Sequence, residues 1–453
     1  MLSDYLLGLK GKNISIIGAG VSNTPLIRML WDDCALTVHD KKKEEDFDPD
    51  FLKELYAHNV TLVTGDGYLD EIGGDVIFRT PGVRPDVPSL ERAKARGSKV
   101  TSEMDVFFSL CPCPVTAITG SDGKTTTSTL VSEMYKAQGF TVHLGGNIGT
   151  PLLPRLDEIE KDHRVVVELS SFQLMDMTHS PHVAVITNVT PNHLDWHRGM
   201  EEYTDAKEGL LRYQTKNDLC VLNFDDPTTR SFAPRAKAKV SFFSMKAQEN
   251  GFSFDGENLL CDGKPFLSAK EIRIPGKHNI ANLLTAASAV RDEVGLEAII
   301  SVAKTFSGVE HRIEFVRELG GVKYYNDSIA SSPTRAAAAL ACFENIILIA
   351  GGYDKKIAFD ELGELICQKV DTLLLCGATA EQIKDAVIKA SCQRKPEIII
   401  FPNLTDTVLT AHKLAKSGDV VLFSPACASF DQFVNFAVRG RFFKDLVNAL
   451  KEE

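Results

Sequence analysis

Short apolar runs alternate along the chain with stretches in which apolar residues recur at helical spacing. The runs are too short for helices and predict buried strands. Strands that alternate with helical patterns are typical of α/β proteins with parallel sheets. The predicted strands are Ile14–Ile17, Leu36–His39, Val115–Thr119, Val165–Glu168, Val183–Asn188, Ile346–Ala350, Thr372–Cys376, Ile398–Phe401 and Val420–Phe423.

Residues 240–272 have a different pattern. They carry the turn signals Asp255-Gly256 and Asp262-Gly263 between short apolar stretches, which predicts a small antiparallel excursion. Residues 201–213 have the pattern of a helix.

A chain of 453 residues is too long for a single hydrophobic core, so two or three domains are expected. The strands fall into three α/β blocks, and the proline-rich Cys111-Pro112-Cys113-Pro114 segment is a plausible linker region. We therefore predict domains at residues 1–103, 104–308 and 309–453.

The net charge of −11 argues against nucleic acid or an anionic membrane as a partner. The N-terminus has neither a long apolar core nor a small-residue cleavage site, so a cytoplasmic protein is expected. Ten cysteines show no paired pattern, and they are expected to be reduced and structural.

The clearest chemical signal lies within residues 115–127. An apolar strand runs into Gly120-Ser121-Asp122-Gly123-Lys124-Thr125-Thr126, and an amphipathic helix follows. This layout directs backbone N–H groups and a helix N-terminus at phosphate. Lys124 is expected to reach the outer phosphates and Thr125 to bind Mg²⁺. The Walker A pattern is incomplete, because Ile118 stands where its first glycine belongs.

A second glycine loop, Gly18-Ala19-Gly20, also follows a predicted strand. Asn23 replaces the third glycine of the dinucleotide fingerprint, and Asp40 ends the next strand where a dehydrogenase has its ribose-binding acid. A nucleotide-dependent oxidoreductase is therefore an alternative, although it leaves the phosphate loop at residue 120 unexplained.

Several motifs, taken with the phosphate loop, resemble the Mur ligase family of ATP-dependent ligases. They are Gly145-Gly146-Asn147-Ile148-Gly149, Glu168-Leu169-Ser170-Ser171-Phe172, Asn188-Val189-Thr190-Pro191-Asn192-His193, Gly276-Lys277-His278-Asn279 and His311-Arg312. The resemblance covers essentially the whole chain. It implies three domains: a Rossmann-like N-terminal domain for a UDP substrate, a central P-loop ATPase domain with a parallel sheet and a small antiparallel sheet, and a Rossmann-like C-terminal domain.

The C-terminal block resembles the members that add D-glutamate to UDP-N-acetylmuramoyl-L-alanine. The matching segments are Tyr325-Asn326-Asp327-Ser328, Gly351-Gly352-Tyr353-Asp354-Lys355 and Ser424-Pro425-Ala426-Cys427-Ala428-Ser429-Phe430-Asp431-Gln432-Phe433. This implies ligation through an acyl-phosphate during peptidoglycan precursor synthesis, with both substrates small molecules, and we expect a monomer.

The resemblance also assigns binding roles to individual residues. ATP contacts are expected at the phosphate loop and at Asn279, Asn282, Arg312 and Asp327. UDP-substrate contacts are expected at Gly20, Val21, Ser22, Asp40, Lys41, Thr80, Gly82, Asn147 and Ser170. D-Glutamate contacts are expected at Ser331, Lys355, Ser429 and Phe436.

Catalysis is assigned by the resemblance to Lys124, Glu168, His193 and Lys207. Thr125 and Glu168 are expected to bind one Mg²⁺, and His193 and a carbamoylated Lys207 a second one. Composition alone places Lys207 in solvent. A carbamate forms only on a neutral amine, so the site must favour the product anion.

Two positions depart from a common family pattern. Ile329 stands where many members have lysine, and Asn192 where others have aspartate. Besides the oxidoreductase, the alternatives are another Mur-type or folylpolyglutamate-type ligase and a non-catalytic nucleotide-binding protein. The C-terminal serine-rich motif argues against the two ligase types, and the intact catalytic set argues against the non-catalytic protein.

Overall fold

The computed structural model describes residues 1–392 and 394–451. The chain forms two compact units. The first comprises Met1–Glu271 with Ile280–Val302, and the second comprises Ile272–Asn279 with the described residues from Ala303 onward. The α/β fold class is confirmed, whereas the predicted boundaries after residues 103 and 308 stay predictions.

A five-stranded parallel sheet opens the first unit, with the strand order β3-β2-β1-β4-β5. Its strands are β1 (Asn13–Ile17), β2 (Ala35–Asp40), β3 (Thr61–Thr64), β4 (Val76–Phe78) and β5 (Lys99–Thr101). Its helices are α1 (Leu2–Leu9), α2 (Asn23–Leu30), α3 (Pro49–Ala57), α4 (Pro88–Ala95) and α5 (Glu103–Leu110). The strand order reverses between β1 and β4, and the loops that follow such strands are where doubly wound sheets bind ligands.

A nine-stranded sheet follows, with the order β14-β13-β12-β11-β10-β9-β6-β8-β7. Its strands are β6 (Val115–Thr119), β7 (Val142–Gly146), β8 (Arg164–Glu168), β9 (Val183–Ile186), β10 (Leu219–Asn223), β11 (Lys239–Ser244), β12 (Phe252–Phe254), β13 (Asn258–Cys261) and β14 (Lys264–Ser268). The accompanying helices are α6 (Lys124–Gln138), α7 (Ser171–Leu174), α8 (Met200–Glu208), α9 (Pro227–Arg230), α10 (Lys277–Val290) and α11 (Leu296–Thr305).

The second unit contains a six-stranded sheet with the order β15-β16-β20-β17-β18-β19, in which only the β15–β16 pair is antiparallel. Its strands are β15 (Glu314–Leu319), β16 (Val322–Asn326), β17 (Ile346–Ala350), β18 (Val370–Cys376), β19 (Glu397–Phe401) and β20 (Val420–Phe423). Its helices are α12 (Pro333–Leu340), α13 (Asp360–Lys369), α14 (Ala380–Lys389), α15 (Leu404–Leu414) and α16 (Phe436–Ala449). Across both units, short 3₁₀ helices occur at Glu44–Asp46, Leu153–Glu158, Gly209–Leu211, Ala233–Arg235 and Ala269–Glu271.

All nine predicted strands are present, and β6, β17 and β20 match at both ends. The predicted antiparallel region was too wide, because β11 pairs in parallel with β10 and only β12, β13 and β14 run antiparallel. The predicted helix of residues 201–213 is α8 followed by a 3₁₀ turn.

The expectation that all cysteines are reduced is wrong at one pair. A disulfide joins Cys367 to Cys392, whose Cα atoms are 5.9 Å apart. Packing of α13 against α14 brings these positions together, although 25 residues separate them in sequence. The structure has no helix among its described residues that is both long and apolar enough to cross a bilayer.

Candidate active site

The phosphate loop spans residues 120–123, between β6 and α6. Gly120 has a φ of 149° and Gly123 a φ of 79°, backbone angles that residues with a side chain rarely adopt. A Cβ atom on Gly120 would lie 1.8 Å from Thr187 Oγ1, and one on Gly123 would lie 2.3 Å from Asn282 Oδ1. Both glycines are therefore needed for the backbone conformation and for the close packing around it.

Hydrogen bonds from the chain after β9 hold this loop in place. The Asp122 N–H group donates to Asn188 Oδ1 at 2.9 Å, and Thr187 Oγ1 donates to the Asp122 carbonyl at 2.6 Å. Ser121 Oγ donates to the Thr190 carbonyl at 2.8 Å. β9 ends at residue 186 because the next two side chains turn towards the loop. The loop is thereby fixed before any ligand binds.

Two lysines meet at this loop. Lys124 Nζ donates to the carbonyls of Gly120 and Ser121, both at 2.9 Å, and Lys207 Nζ donates to the Gly120 carbonyl at 2.8 Å. Lys207 is only 1% exposed and lies 4.6 Å from the centre of the Tyr203 ring. Burial, together with the charge of Lys124, lowers the pKa of Lys207 to about 7. The solvent position suggested by composition is thus wrong.

Glu168 ends β8, next to the strand that leads into the phosphate loop. Its side chain is 1% exposed, and Oε1 accepts a hydrogen bond from Asn147 Nδ2 at 2.9 Å. Oε2 is buried and has no hydrogen-bond partner among the described residues. Because an unsatisfied buried carboxylate oxygen is costly, this atom fits a cation ligand.

His193 lies in the loop after β9 with a left-handed φ of 54°. Its ring is 5.0 Å from that of Phe172, which in turn is 4.4 Å from the Trp196 ring. The buried His197 shares a 2.9 Å hydrogen bond between its Nε2 and Ser171 Oγ. Partial burial, followed by the charge of Lys124, lowers the pKa of His193. The loop therefore brings the exposed His193 imidazole close to the phosphate loop.

The first glycine loop follows β1 and is held by Asp40. The Asp40 carboxylate accepts hydrogen bonds from the N–H groups of Ala19 at 2.8 Å and Lys42 at 2.9 Å. Asn23 caps the end of β1 through its side-chain amide. Asp40 therefore organises the backbone here, which weakens the oxidoreductase alternative, because that alternative needs its carboxylate for a ribose.

The other predicted UDP-substrate residues differ in exposure. Gly20, Val21, Lys41, Gly82 and Asn147 are exposed, and Ser22, Thr80 and Ser170 are half-buried. Two of these side chains already have structural partners, since Asn147 binds Glu168 and Ser170 caps α7 in a capping box with Gln173.

Sequence reading missed two arginines that hold the loop of residues 80–84. Arg79 is 1% exposed and ion-pairs with Asp176, using Nε at 2.6 Å. It also donates to the carbonyls of Val83 at 2.5 Å and Phe172 at 3.2 Å. One buried side chain thus ties the predicted UDP-substrate loop to the segment that follows Glu168.

Arg84 ties the same loop to the segment that carries His193. Its Nη2 and Nη1 donate to the two carboxylate oxygens of Glu202 at 2.7 and 2.9 Å, and Nη1 also donates to the Trp196 carbonyl at 2.9 Å. Its guanidinium lies 5.0 Å from the centre of the Trp196 ring. Its position two residues after Gly82, next to the predicted UDP-substrate residues, was the signal in the sequence for this role.

The second unit holds several of the predicted nucleotide contacts. Asp327 is 3% exposed, and its carboxylate accepts hydrogen bonds from Ser424 Oγ at 2.7 Å and from the Ile313 N–H group at 3.2 Å. Burial raises its pKa to about 7. Arg312 is exposed, and Asn279 Nδ2 donates to the Pro275 carbonyl at 2.6 Å.

The predicted D-glutamate residues also lie in the second unit. Lys355 Nζ donates to the Ser331 carbonyl at 3.3 Å, so the structure brings these two residues together. Ser429 is buried, whereas the Phe436 ring is 39% exposed at the start of α16. Ser328 Oγ donates to the Phe436 carbonyl at 2.8 Å, which links the segment after β16 to α16.

Two segments of the chain match domain models of a known protein family, and nearly the whole chain matches named proteins. Residues 118–290 match the Mur ligase middle domain, and residues 311–427 match the Mur ligase glutamate ligase domain. A protein of Clostridium kluyveri named UDP-N-acetylmuramoylalanine–D-glutamate ligase is 49% identical over 450 residues, covering 98% of each chain. A protein of Acetivibrio thermocellus with the same name is 49% identical over 463 residues, covering 99% of each.

Solved structures agree at the level of the fold. A UDP-N-acetylmuramate–alanine ligase from Thermotoga maritima superposes with a TM-score of 0.58 at 18% identity, covering 97% of this chain and 100% of its own. A ligase from the same organism in complex with ADP gives a TM-score of 0.56 at 17% identity, covering 98% of this chain and 96% of its own.

Proposed function

This chain belongs to the Mur ligase family, and we propose that it joins D-glutamate to UDP-N-acetylmuramoyl-L-alanine with ATP as the phosphoryl donor. The observation that carries the proposal is the 49% identity, over nearly the full length of both chains, to ligases that bear this name. The proposed reaction belongs to cytoplasmic peptidoglycan precursor synthesis, and its substrates are small molecules.

The chemistry begins with a carboxylate, which does not react with an amine until it is activated. Transfer of the γ-phosphoryl group of ATP to the alanyl carboxylate gives an acyl-phosphate and ADP. The D-glutamate amine then attacks the acyl carbon, an amide forms, and phosphate leaves. The protein must therefore bring two anions together and neutralise their charge.

The fixed phosphate loop is suited to the first step. Its backbone N–H groups and the start of α6 are held in place by the hydrogen bonds of Ser121 and Asp122. We assign the outer phosphates to Lys124 and the β- and γ-phosphate cradle to residues 120–126. On this assignment Lys124 moves its ammonium group from the loop carbonyls to the phosphate oxygens.

The residues around the loop fit divalent cations. The partnerless Oε2 atom of Glu168 supports an Mg²⁺ ligand there, together with the Thr125 hydroxyl. His193 and carbamoylated Lys207 are assigned to a second Mg²⁺. When bound, Mg²⁺ supplies positive charge that offsets the repulsion between the phosphates and the carboxylate.

Carbamoylation of Lys207 is supported by the burial of its amine beside the loop. The ammonium group first loses a proton to give the neutral amine. Its Nζ atom then attacks CO₂, a second proton leaves to solvent, and the side chain becomes an anionic carbamate. The lowered pKa of Lys207 makes the neutral amine available near neutral pH. We assign D-glutamate to Ser331, Lys355, Ser429 and Phe436. We assign ATP and the UDP substrate to the residues for which the family resemblance implies these contacts.

The test is phosphate release by the purified protein in Mg²⁺ and ATP, with UDP-N-acetylmuramoyl-L-alanine and one amino acid at a time. We expect release with D-glutamate, and its loss when the metal is chelated. Release with L-lysine or diaminopimelate but not with D-glutamate would overturn the substrate assignment. Absence of release with every amino acid would overturn the ligase assignment, and nicotinamide titration then tests the oxidoreductase alternative.

A further inference from the structure

Arg439 is a buried cation in the second unit whose hydrogen-bond partners among the described residues are all neutral. It lies in the first turn of α16 and is 3% exposed. Its Nε donates to Ser328 Oγ at 3.1 Å, and Nη2 donates to the Ser328 and Cys427 carbonyls at 2.8 and 3.0 Å. Nη1 donates to the Ala428 carbonyl at 2.9 Å. No carboxylate of the described residues forms an ion pair with this guanidinium.

The buried Arg79 and the half-buried Arg84 of the first unit differ from Arg439 in this respect. Arg79 pairs with Asp176, and Arg84 pairs with Glu202 and Asp86. A buried charge is unfavourable unless it is paired, so pairing is the usual arrangement. Burial lowers the pKa of Arg439 to about 10, which still leaves it protonated at neutral pH. Its hydrogen bonds go to neutral groups, and the Asp431 carboxylate acts on its charge from a distance, without an ion pair among the described residues.

The acceptors of Arg439 lie on the segments that carry the proposed D-glutamate residues. Ser328 is close in sequence to Ser331, and its Oγ also donates to the Phe436 carbonyl. Ala428 directly precedes Ser429 in the chain. One side chain therefore holds the segment after β16, the segment after β20 and the start of α16.

The segment that carries Lys355 joins the same arrangement. The Tyr353 N–H group donates to the Ala428 carbonyl at 2.9 Å, so that oxygen accepts from both Tyr353 and Arg439. A Cβ atom on Gly352 would lie 2.4 Å from this oxygen and 3.1 Å from Arg439 Nη1. The glycine thus permits the close approach of this segment to the guanidinium.

We propose that Arg439 is a positioning residue for the anionic amino-acid substrate. It fixes the four segments that present Ser331, Lys355, Ser429 and Phe436, and its positive charge attracts a dicarboxylate to them. Ile329 stands where many family members have lysine, and the Arg439 guanidinium, which donates to the carbonyl of the preceding Ser328, supplies positive charge close to this position. This inference rests on the proposed assignment of D-glutamate to these residues.

The experiment compares R439Q and R439K with the full-length wild type. We expect R439Q to raise the KM for D-glutamate about tenfold or more, in line with the loss of hydrogen bonds made by a charged group. The KM values for ATP and the UDP substrate should stay within about twofold. A change of that size is smaller than the several-fold effect expected from the loss of a single hydrogen bond. R439K keeps the charge but loses the planar set of donors, so its KM for D-glutamate should lie between the two.

Val447→Ala is the matched control. Val447 is fully buried on the same helix and belongs to a hydrophobic core cluster that contains neither Ser328 nor Ala428. It should lower the melting temperature without changing the KM for D-glutamate. If R439Q does not fold, R439K alone decides the question.

Three outcomes overturn the inference. They are an unchanged KM for D-glutamate in a folded Arg439 variant, an equal rise in all three KM values, and a control that raises the KM for D-glutamate as the Arg439 variants do. If the wild type adds D-glutamate in any of these cases, the proposed function survives. If the wild type adds no D-glutamate, the proposed function and this inference fail together.

Discussion

Lys124 and Lys207 donate hydrogen bonds to one carbonyl oxygen, that of Gly120, at 2.9 and 2.8 Å. Burial disfavours the charge of Lys207, and the neighbouring Lys124 ammonium group adds to this effect on the pKa of Lys207. A lysine with an ordinary pKa is only about 0.04% neutral at pH 7, whereas a pKa of about 7 leaves a large neutral fraction.

Lys207 should carry a carbamate in the active enzyme. The Lys207→Ala variant should be inactive, and a short carboxylic acid such as formate should restore part of the activity by replacing the missing anion. Enzyme equilibrated with ¹³C-bicarbonate should give a carbamate carbon signal that the variant lacks. Substitution of the exposed Lys216 by alanine is the control, and full activity after removal of CO₂ and bicarbonate contradicts the prediction.

Lys124→Ala should lower ligase activity by about a hundredfold or more, as expected when a charge-stabilising donor is lost from an active site. The melting temperature should change little, since the loop keeps the anchoring hydrogen bonds of Ser121 and Asp122. Lys136→Ala, at the other end of α6, is the control for helix effects. A folded Lys124→Ala enzyme with normal turnover at saturating ATP rules out this role.

Ser429→Ala should raise the KM for D-glutamate far more than the KM for ATP. Loss of a buried hydrogen bond costs about 1–3 kcal/mol of binding free energy, or roughly a 5- to 150-fold change in affinity.

The wild type should also prefer D-glutamate to L-lysine and diaminopimelate, because an ammonium-ended side chain leaves the site's donors unpaired. Equal efficiency with a basic amino acid removes the substrate assignment but leaves the ligase assignment intact.

Arg84→Met should raise the KM for the UDP substrate and lower kcat, because it frees the loop of Thr80 and Gly82 from the segment that carries His193. Arg164→Met is the matched control, since Arg164 and Glu293 form a similarly buried pair elsewhere in the first unit. Steady-state kinetics of both variants check the prediction. Parallel losses in the two enzymes would indicate a general effect on stability.

Glu103→Gln should stabilise the protein at alkaline pH. Burial raises the Glu103 pKa from 4.5 to about 7, so the folded state holds this proton more tightly than the unfolded chain. Stability from this group is present below pH 4.5 and declines as pH rises to about 7, by a total of about 3 kcal/mol. Glutamine keeps the acceptor for the Leu153 N–H group. Melting at pH 5 and pH 8 should show the larger gain at pH 8.

The strands could be predicted because a parallel strand covered on both faces is a nearly continuous apolar run. The run Val115–Thr119 is fully buried and was located to the residue. Strand ends were less certain where side chains leave the sheet for a loop, as at Thr187 and Asn188. Glycine positions in the phosphate loop were also predictable, because they reflect local backbone requirements.

The side chains that depend on distant parts of the chain could not be predicted. Lys207 stands in the charged sequence of α8, where nothing local indicates burial against Gly120. The burial and hydrogen-bond partners of Arg439 could not be predicted either, since its acceptors are brought together only by the third sheet. Cys392 lies 25 residues from Cys367 and becomes its neighbour only through helix packing.

The position of β6 in the sheet also sets the moment during translation at which the phosphate loop can fold. β6 pairs with β8 and β9, both of which follow it in sequence. A nascent chain that has emerged only to residue 160 therefore exposes both edges of an apolar strand. Such pairing forms slowly and leaves surfaces open to aggregation. Until Ile186 has left the ribosome, the unfinished enzyme should depend on chaperones, and a translational pause in this interval would prolong that dependence.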